Sequence, residues 1–210
     1  MAGRIITVAQ QKGGAGKTTL AIHLAVAWNL AGRRVAVVDI DPQGSLSHWY
    51  RERAALEADS GLTHAQMSGW RTQLEVERLA RDHDLVVIDS PPHAETEARI
   101  AVRAADLVVV PVQPSPMDLW ACRPTLDMAR TEKRPMLLVL NRVPPRGKLA
   151  DQIMDKVRAL GVPVADGTVG NRVGFAAALT EGRTLIETER RSRGAEEVEE
   201  LAAEILRRLG

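Results

Sequence analysis

A single cysteine, Cys122, stands among the 210 residues, so no intrachain disulfide can form, and this thiol reads as a small buried hydrophobe. No stretch reaches the roughly 18 consecutive apolar residues that a membrane helix needs. The N-terminus runs directly into a strand-like segment without a signal-peptide pattern, which sets the expectation of a cytoplasmic protein. Neither sign of charge dominates: 28 Lys and Arg stand against 27 Asp and Glu, so the net charge of +1 decides nothing about nucleic-acid partners. Internal repeats, low-complexity tracts and an obvious linker are also missing. With 45% hydrophobic residues, the chain from 1 to 210 reads as one domain with a sizeable core.

What is there is an alternation. Residues 5–9, 35–40, 85–89, 107–112 and 136–141 are short, β-branched and apolar without a polar alternate position, the pattern of parallel strands covered on both faces. Helical patterns near 18–31, 70–81, 97–105, 117–131 and 149–160 separate them, long enough for right-handed crossovers. Residues 62–67 read as a further strand and 162–165 as an edge strand. The predicted class is α/β: a doubly wound, mostly parallel sheet with helices on both faces.

In such sheets ligands bind beyond the carboxyl ends of the strands, and four of the five principal strands end in residues that carry chemistry. The first runs into Gln11-Lys12-Gly13-Gly14-Ala15-Gly16-Lys17-Thr18-Thr19 and then a helix, the setting a phosphate loop requires. Backbone N–H groups of Gly13, Gly14, Ala15 and Gly16 can close around phosphate oxygens, Lys17 can reach the β- and γ-phosphates, and Thr18 is placed to ligate Mg²⁺. The strict loop pattern has glycine at position 11, where this chain has Gln11 followed by Lys12. The second strand ends in Asp39-Ile40-Asp41-Pro42-Gln43-Gly44, whose two carboxylates leave on one side. The third ends in Ile88-Asp89-Ser90-Pro91-Pro92, a Walker B pattern that puts Asp89 near Mg²⁺. The last ends in Asn141-Arg142.

The run Lys12-Gly13-Gly14-Ala15-Gly16-Lys17-Thr18 resembles the deviant Walker A motif of the ParA/MinD P-loop ATPases, and the order of the remaining motifs is similar from Arg4 to Leu209. The resemblance implies ATP and Mg²⁺ as cofactors and a homodimer in which Lys12 crosses to the partner's nucleotide. The alternative for Lys12 is a solvated surface lysine. By the same resemblance Asp39 belongs to the Mg²⁺ water shell, Asp41 orients the attacking water, and Asn141 with Arg142 meets the base. The loop 110–115 and the segment 171–175 resemble the family's further nucleotide segments, or are ordinary loops. One thiol per chain is too few for the relatives in which each subunit gives two cysteines to an iron–sulfur cluster.

Charge is concentrated locally. Residues 123–158 hold nine basic side chains (Arg123, Arg130, Lys133, Arg134, Arg142, Arg146, Lys148, Lys156, Arg158) against four acidic ones. Arg183, Arg190, Arg191 and Arg193 precede the last helix, in a stretch similar to the C-terminal motif of partition ATPases, which implies non-specific DNA binding by the dimer. A charge run by itself is usually just a solvated surface. Membrane attachment in the manner of MinD would use the amphipathic helix at 194–209, but its charged residues sum to −3 and it lacks Phe and Trp, so it is expected to pack on the domain. The resemblance thus implies a short ParA-type ATPase, without an N-terminal DNA-reading extension, that hydrolyses ATP weakly until a ParB-like or other adaptor stimulates it. On the nucleoid it would segregate or position a plasmid, chromosome or other cargo. A MinD-like positioning ATPase and a metabolic P-loop enzyme of related fold are the alternatives.

Overall fold

The computed structural model describes residues 2–56, 61–92, 95–145 and 149–210, and the side chains of 149–152 are outside that description. Six strands, β1 Arg4–Val8, β2 Val35–Asp39, β3 Leu62–Gln66, β4 Leu85–Asp89, β5 Leu107–Val112 and β6 Met136–Leu140, form one sheet in the order β3-β2-β4-β1-β5-β6. Every pairing is parallel. The central strands β2, β4 and β5 are buried at every position, which is why their sequences run apolar without alternation.

The pleat sends alternate residues to two layers. Val35, Val37 and Val87 join the layer made with α1 (Lys17–Leu30), α2 (Ser45–Leu56), α7 (Val173–Thr180), α8 (Leu185–Thr188) and α9 (Arg193–Leu209). Ala36, Val38, Val86 and Ile88 face α3 (Thr72–Asp82) and α4 (Glu95–Ala104). Val108, Val110, Leu138 and Leu140 face α4, α5 (Pro116–Thr131) and α6 (Leu149–Arg158). Helices therefore cover both faces, as expected. Trp28, 1% exposed, sits in the first layer and its indole N–H donates to the Ala202 carbonyl at 3.0 Å, tying α1 to α9. Losing a side chain of that size from such a core costs about 3–5 kcal/mol.

The last helix packs on the domain. Ala195, Val198, Leu201, Ala202 and Ile205 are all buried, so the apolar face of α9 is spent on the core. Among the described residues no helix is long and apolar enough to cross a membrane. Cys122 is fully buried, and burial pushes its thiol up to about 11.

Two corrections to the sequence expectations concern secondary structure. Residues 162–165 are not an edge strand: only Val164 bridges, to Leu138. Leu138 exchanges hydrogen bonds with Pro163 and Ala165, but Pro163 has no N–H with which to extend the ladder. The helix α2, directly after the Asp41 loop, was not expected, nor were α7 and α8.

Candidate nucleotide site

Strand register assembles the site. Asp39 and Asp89 are direct partners across β2 and β4, and Val8, the last residue of β1, pairs with Asp89 on its other side. Two carboxylates thus end adjacent strands beside the loop that leaves β1. That loop turns into α1 through Gly14 and Gly16, with φ of 78° and 87°. A side chain at Gly16 would also meet the Asn141 amide, since an added Cβ lies 2.6 Å from its Nδ2. A Cβ added at Gly13 or Gly14 would meet no atom within 4 Å.

One carboxylate at this corner stands apart from the rest. Neither oxygen of Asp89 has a hydrogen-bond partner among the described residues, although the side chain is buried. Burial pushes its carboxyl up to about 7; the Thr18 hydroxyl nearby and Lys17 offset part of that push, and Asp39 and Asp41 add to it. Lys17 is buried as well, and burial lowers its ammonium against the pull of Asp89 and Asp41. A buried carboxylate that Lys17 offsets only in part, beside a threonine hydroxyl and a glycine-rich loop, fits a hard divalent cation with a nucleotide. Thr18, Asp39 and Asp89 are the residues that would hold Mg²⁺.

Asp39 is fully buried and accepts the Asp41 N–H at 3.1 Å on Oδ1. Asp41, partly exposed on the loop, accepts the Gln43 N–H at 2.9 Å. The two carboxylates therefore differ: one is fixed inside, the other stands where water has access.

Lys12 and Lys17 are also unlike. Lys12 is partly exposed and its ammonium lies 2.8 Å from Oδ2 of Asp118, on the first turn of α5, whereas Lys17 is buried near Asp89 and Asp41. Ser115 caps that turn by accepting the Asp118 N–H, and its own hydroxyl reaches the Asp118 carboxylate. Asp118 was missed in the sequence; the Ser-Pro-x-Asp start of a helix was the available signal, but nothing local linked it to Lys12. Gln113, from the loop expected to resemble a nucleotide segment, donates to the Gly14 carbonyl at 3.0 Å.

Beyond α1 lies a cleft of ≈ 380 Å³ lined by Thr19, His23, Asn141, Arg142, Arg172 and Phe175 among others. Asn141 is at its inner edge and donates to the Ala15 carbonyl at 2.9 Å, so this amide holds the phosphate loop as well as lining the cleft. Arg142 has a left-handed backbone, φ 55°, at the end of β6. His23 is a residue the sequence did not single out. Its Nδ1 meets the Thr19 carbonyl at 2.8 Å, its Nε2 accepts the Leu185 N–H at 3.1 Å, and Phe175 packs edge-on. Burial lowers the ring to about 4, so it is neutral and links the loop helix to α8.

The arginines before α9 divide into two kinds. Arg183, Arg190 and Arg191 are exposed and form no ion pair among the described residues. Arg193 is exposed but bonded within its own helix, 3.1 Å from Glu196 and 3.6 Å from Glu197. Arg146 and Lys148 of the basic stretch lie outside the described residues.

Comparison with known proteins agrees with this geometry. Residues 6–186 match the CobQ/CobB/MinD/ParA nucleotide binding domain. The chain is 33% identical over 209 residues to maintenance of carboxysome distribution protein A of Halothiobacillus neapolitanus, covering 96% of this chain and 95% of that one. It is 31% identical over 240 residues to the chromosome-partitioning ATPase Soj of Thermus thermophilus, covering 98% and 96%. Among solved structures, the ATP complex of McdA from Cyanothece superposes with a TM-score of 0.81 at 17% identity, over 98% of this chain and 96% of that one. At that identity the likeness speaks for the fold alone.

Proposed function

The chain belongs to the CobQ/CobB/MinD/ParA nucleotide-binding family as a ParA-family ATPase, and from that premise we propose that it is a DNA-associated positioning switch. With Mg²⁺ and ATP it forms a sandwich dimer, the dimer binds DNA without sequence preference, and an adaptor protein triggers hydrolysis and release. Its cargo is a large assembly, a reading supported by relatives named for carboxysome distribution and for chromosome partitioning. The whole chain acts as one domain.

The observation that carries this reading is the division of labour between the two lysines. Lys17 is buried at the cradle of its own chain, whereas Lys12 is held by Asp118 at the partly exposed start of α5. A lysine that its own phosphate site does not use is available to a second copy.

Mg²⁺, when bound, would supply neutralisation of the phosphate charge. The chain does the rest. Gly13 to Thr19 bind phosphate through backbone N–H groups and the Lys17 ammonium; Thr18 and Asp89 would hold the metal, and Asp39 would order its water shell. Asp41 orients the attacking water from the solvent side. Asn141 and Arg142 line the base cleft. Lys12 leaves Asp118 to stabilise charge on the partner's phosphates, so hydrolysis waits for dimerisation. Arg183, Arg190 and Arg191 supply the DNA contacts, with Arg193 the weakest member because its own helix already occupies it.

Retention of two unrelated DNA duplexes tests the proposal. ATP-loaded protein should bind both about equally, ADP-loaded protein neither, and affinity should fall steeply with salt as counterions are released. Replacing Arg183, Arg190 and Arg191 together by Ala should weaken both duplexes alike and spare the ATP dimer. DNA binding that ignores the nucleotide contradicts the switch.

A further inference from the structure

One buried polar chain next to the site has no role in the reading above. Ser47, on the first turns of α2, gives Oδ2 of Asp39 two hydrogen bonds, from its N–H at 2.8 Å and from its hydroxyl at 2.7 Å. The same hydroxyl lies 2.9 Å from Nε2 of His64, on the edge strand β3. A serine hydroxyl has one proton, and here it goes to the carboxylate. Ser47 can therefore only accept from His64, which makes Nε2 the protonated nitrogen of that ring. Tyr50 stacks on the imidazole with centroids 4.6 Å apart and rings 17° from parallel, and its own hydroxyl donates to the Leu62 carbonyl at 3.0 Å. The donors run in one direction, from His64 through Ser47 to Asp39.

We propose that His64 and Ser47 are positioning residues that preset Asp39 for the Mg²⁺ of the bound nucleotide. The inference rests on the reading of Asp39 as a carboxylate of the metal's water shell. Oδ2 is saturated by Ser47, and Oδ1 accepts only the Asp41 N–H, so Oδ1 keeps the free acceptor capacity for a metal-bound water. Because α2 and β3 fix the rotamer in advance, metal binding does not have to order this side chain. The relay also explains a polar histidine on β3: its position opposite Val37 brings the ring to the first turn of α2 through a one-hydroxyl bridge.

The experiment measures binding, not turnover. Affinity for a fluorescent ATP analogue is recorded in EDTA and then across a Mg²⁺ titration, for wild type, Ser47→Ala, Ser47→Thr, His64→Ala, His64→Gln and Asp39→Ala. Ser47→Ala should raise the Mg²⁺ concentration at half-effect roughly tenfold, the lower end of what outer-shell partners of a metal site contribute. His64→Ala should raise it roughly fivefold, the equivalent of one neutral hydrogen bond. Affinity in EDTA should stay within about twofold of wild type in both. Ser47→Thr keeps the hydroxyl and His64→Gln keeps a donor, so each should return most of the Mg²⁺ response. If Asp39→Ala loses the response while Ser47→Ala and His64→Ala keep it, the relay is overturned and the role of Asp39 stands. If Asp39→Ala responds to Mg²⁺ as wild type does, the underlying reading falls and takes the relay with it. Equal losses in EDTA and in Mg²⁺ for the Ala variants, not restored by Thr or Gln, also overturn it.

Discussion

Two corners of this molecule bury charge, and they treat it in opposite ways. Where α2 meets α8, Arg53 and Glu187 pair at 2.9 Å with both side chains largely buried. Burial pushes the Glu187 carboxyl up, but Arg53 and the Thr184 cap outweigh it and hold the group below its usual value. Glu197 and Glu204 of α9 are served in the same way, by Arg172 and the Gly170 N–H and by Arg208 and the Asp166 N–H. At the end of β4 and the start of α1, Asp89 and Lys17 are also buried, yet Asp89 has no hydrogen-bond partner among the described residues, and burial pushes it up to about 7. Removing a charge from water without a partner is expensive, so a fold that does so at one corner and not at the other has left that corner for a ligand. The paired corner holds the fold; the unpaired one is where the proposed function puts the nucleotide.

If that division is right, damage to each corner should show in a different measurement. The largest effect belongs to the paired corner. Glu187→Ala breaks the buried ion pair with Arg53 and removes the Thr184 cap partner, and should lower stability by about 3–5 kcal/mol in urea unfolding. A loss under 1 kcal/mol would mean that the pair contributes little.

His23 lies on the seam between the corners and makes stability depend on pH. Its folded pKa of about 4 is below the unfolded value of 6.5, so the unfolded chain takes up the proton first as the pH falls. The contribution is therefore complete above pH 6.5 and is lost toward pH 4. It amounts to up to about 3 kcal/mol for a shift of this size. His23→Gln should flatten the wild-type stability profile in that window by about this amount, and parallel profiles would remove His23 as the cause.

At the unpaired corner, Lys17→Ala should weaken Mg·ATP at least about 100-fold by calorimetry, or about 2.7 kcal/mol, while unfolding changes little. Affinity within about threefold of wild type would contradict the phosphate role. The smallest effect is expected for Lys12. Lys12→Ala should leave ADP binding within about twofold and weaken ATP-dependent dimerisation roughly tenfold in light scattering. An unchanged ATP dimer returns Lys12 to the surface.

Most of the sheet was legible in the sequence because strands buried on both faces carry no polar alternate that would obscure them, and Leu85–Asp89 and Leu107–Val112 match the expected ranges without adjustment. The edge strand at 62–67 was legible too, although its partly exposed residues made the pattern thinner. The helix Ser45–Leu56 was not, since it buries only Leu46, Ser47, Trp49 and Arg53 and its remaining positions are polar. For the candidate site, the motifs located the glycine-rich loop between β1 and α1 and both strand-end carboxylates, because each lies within one short segment. Asp118, His64 and His23 were invisible for the converse reason. Lys12 meets Asp118 across 106 residues, and Leu185 meets His23 across 162, so only the folded chain brings them together.

The central claim is that the unpaired carboxylate at the end of β4 is completed by the metal of a bound nucleotide. ATP affinity measured by calorimetry in Mg²⁺ and in EDTA, for wild type and Asp89→Asn, tests it most directly. Wild type should bind ATP at least about tenfold more tightly with Mg²⁺, and Asp89→Asn should lose that gain while keeping its affinity in EDTA. An Asp89→Asn variant that gains from Mg²⁺ as wild type does would contradict the account.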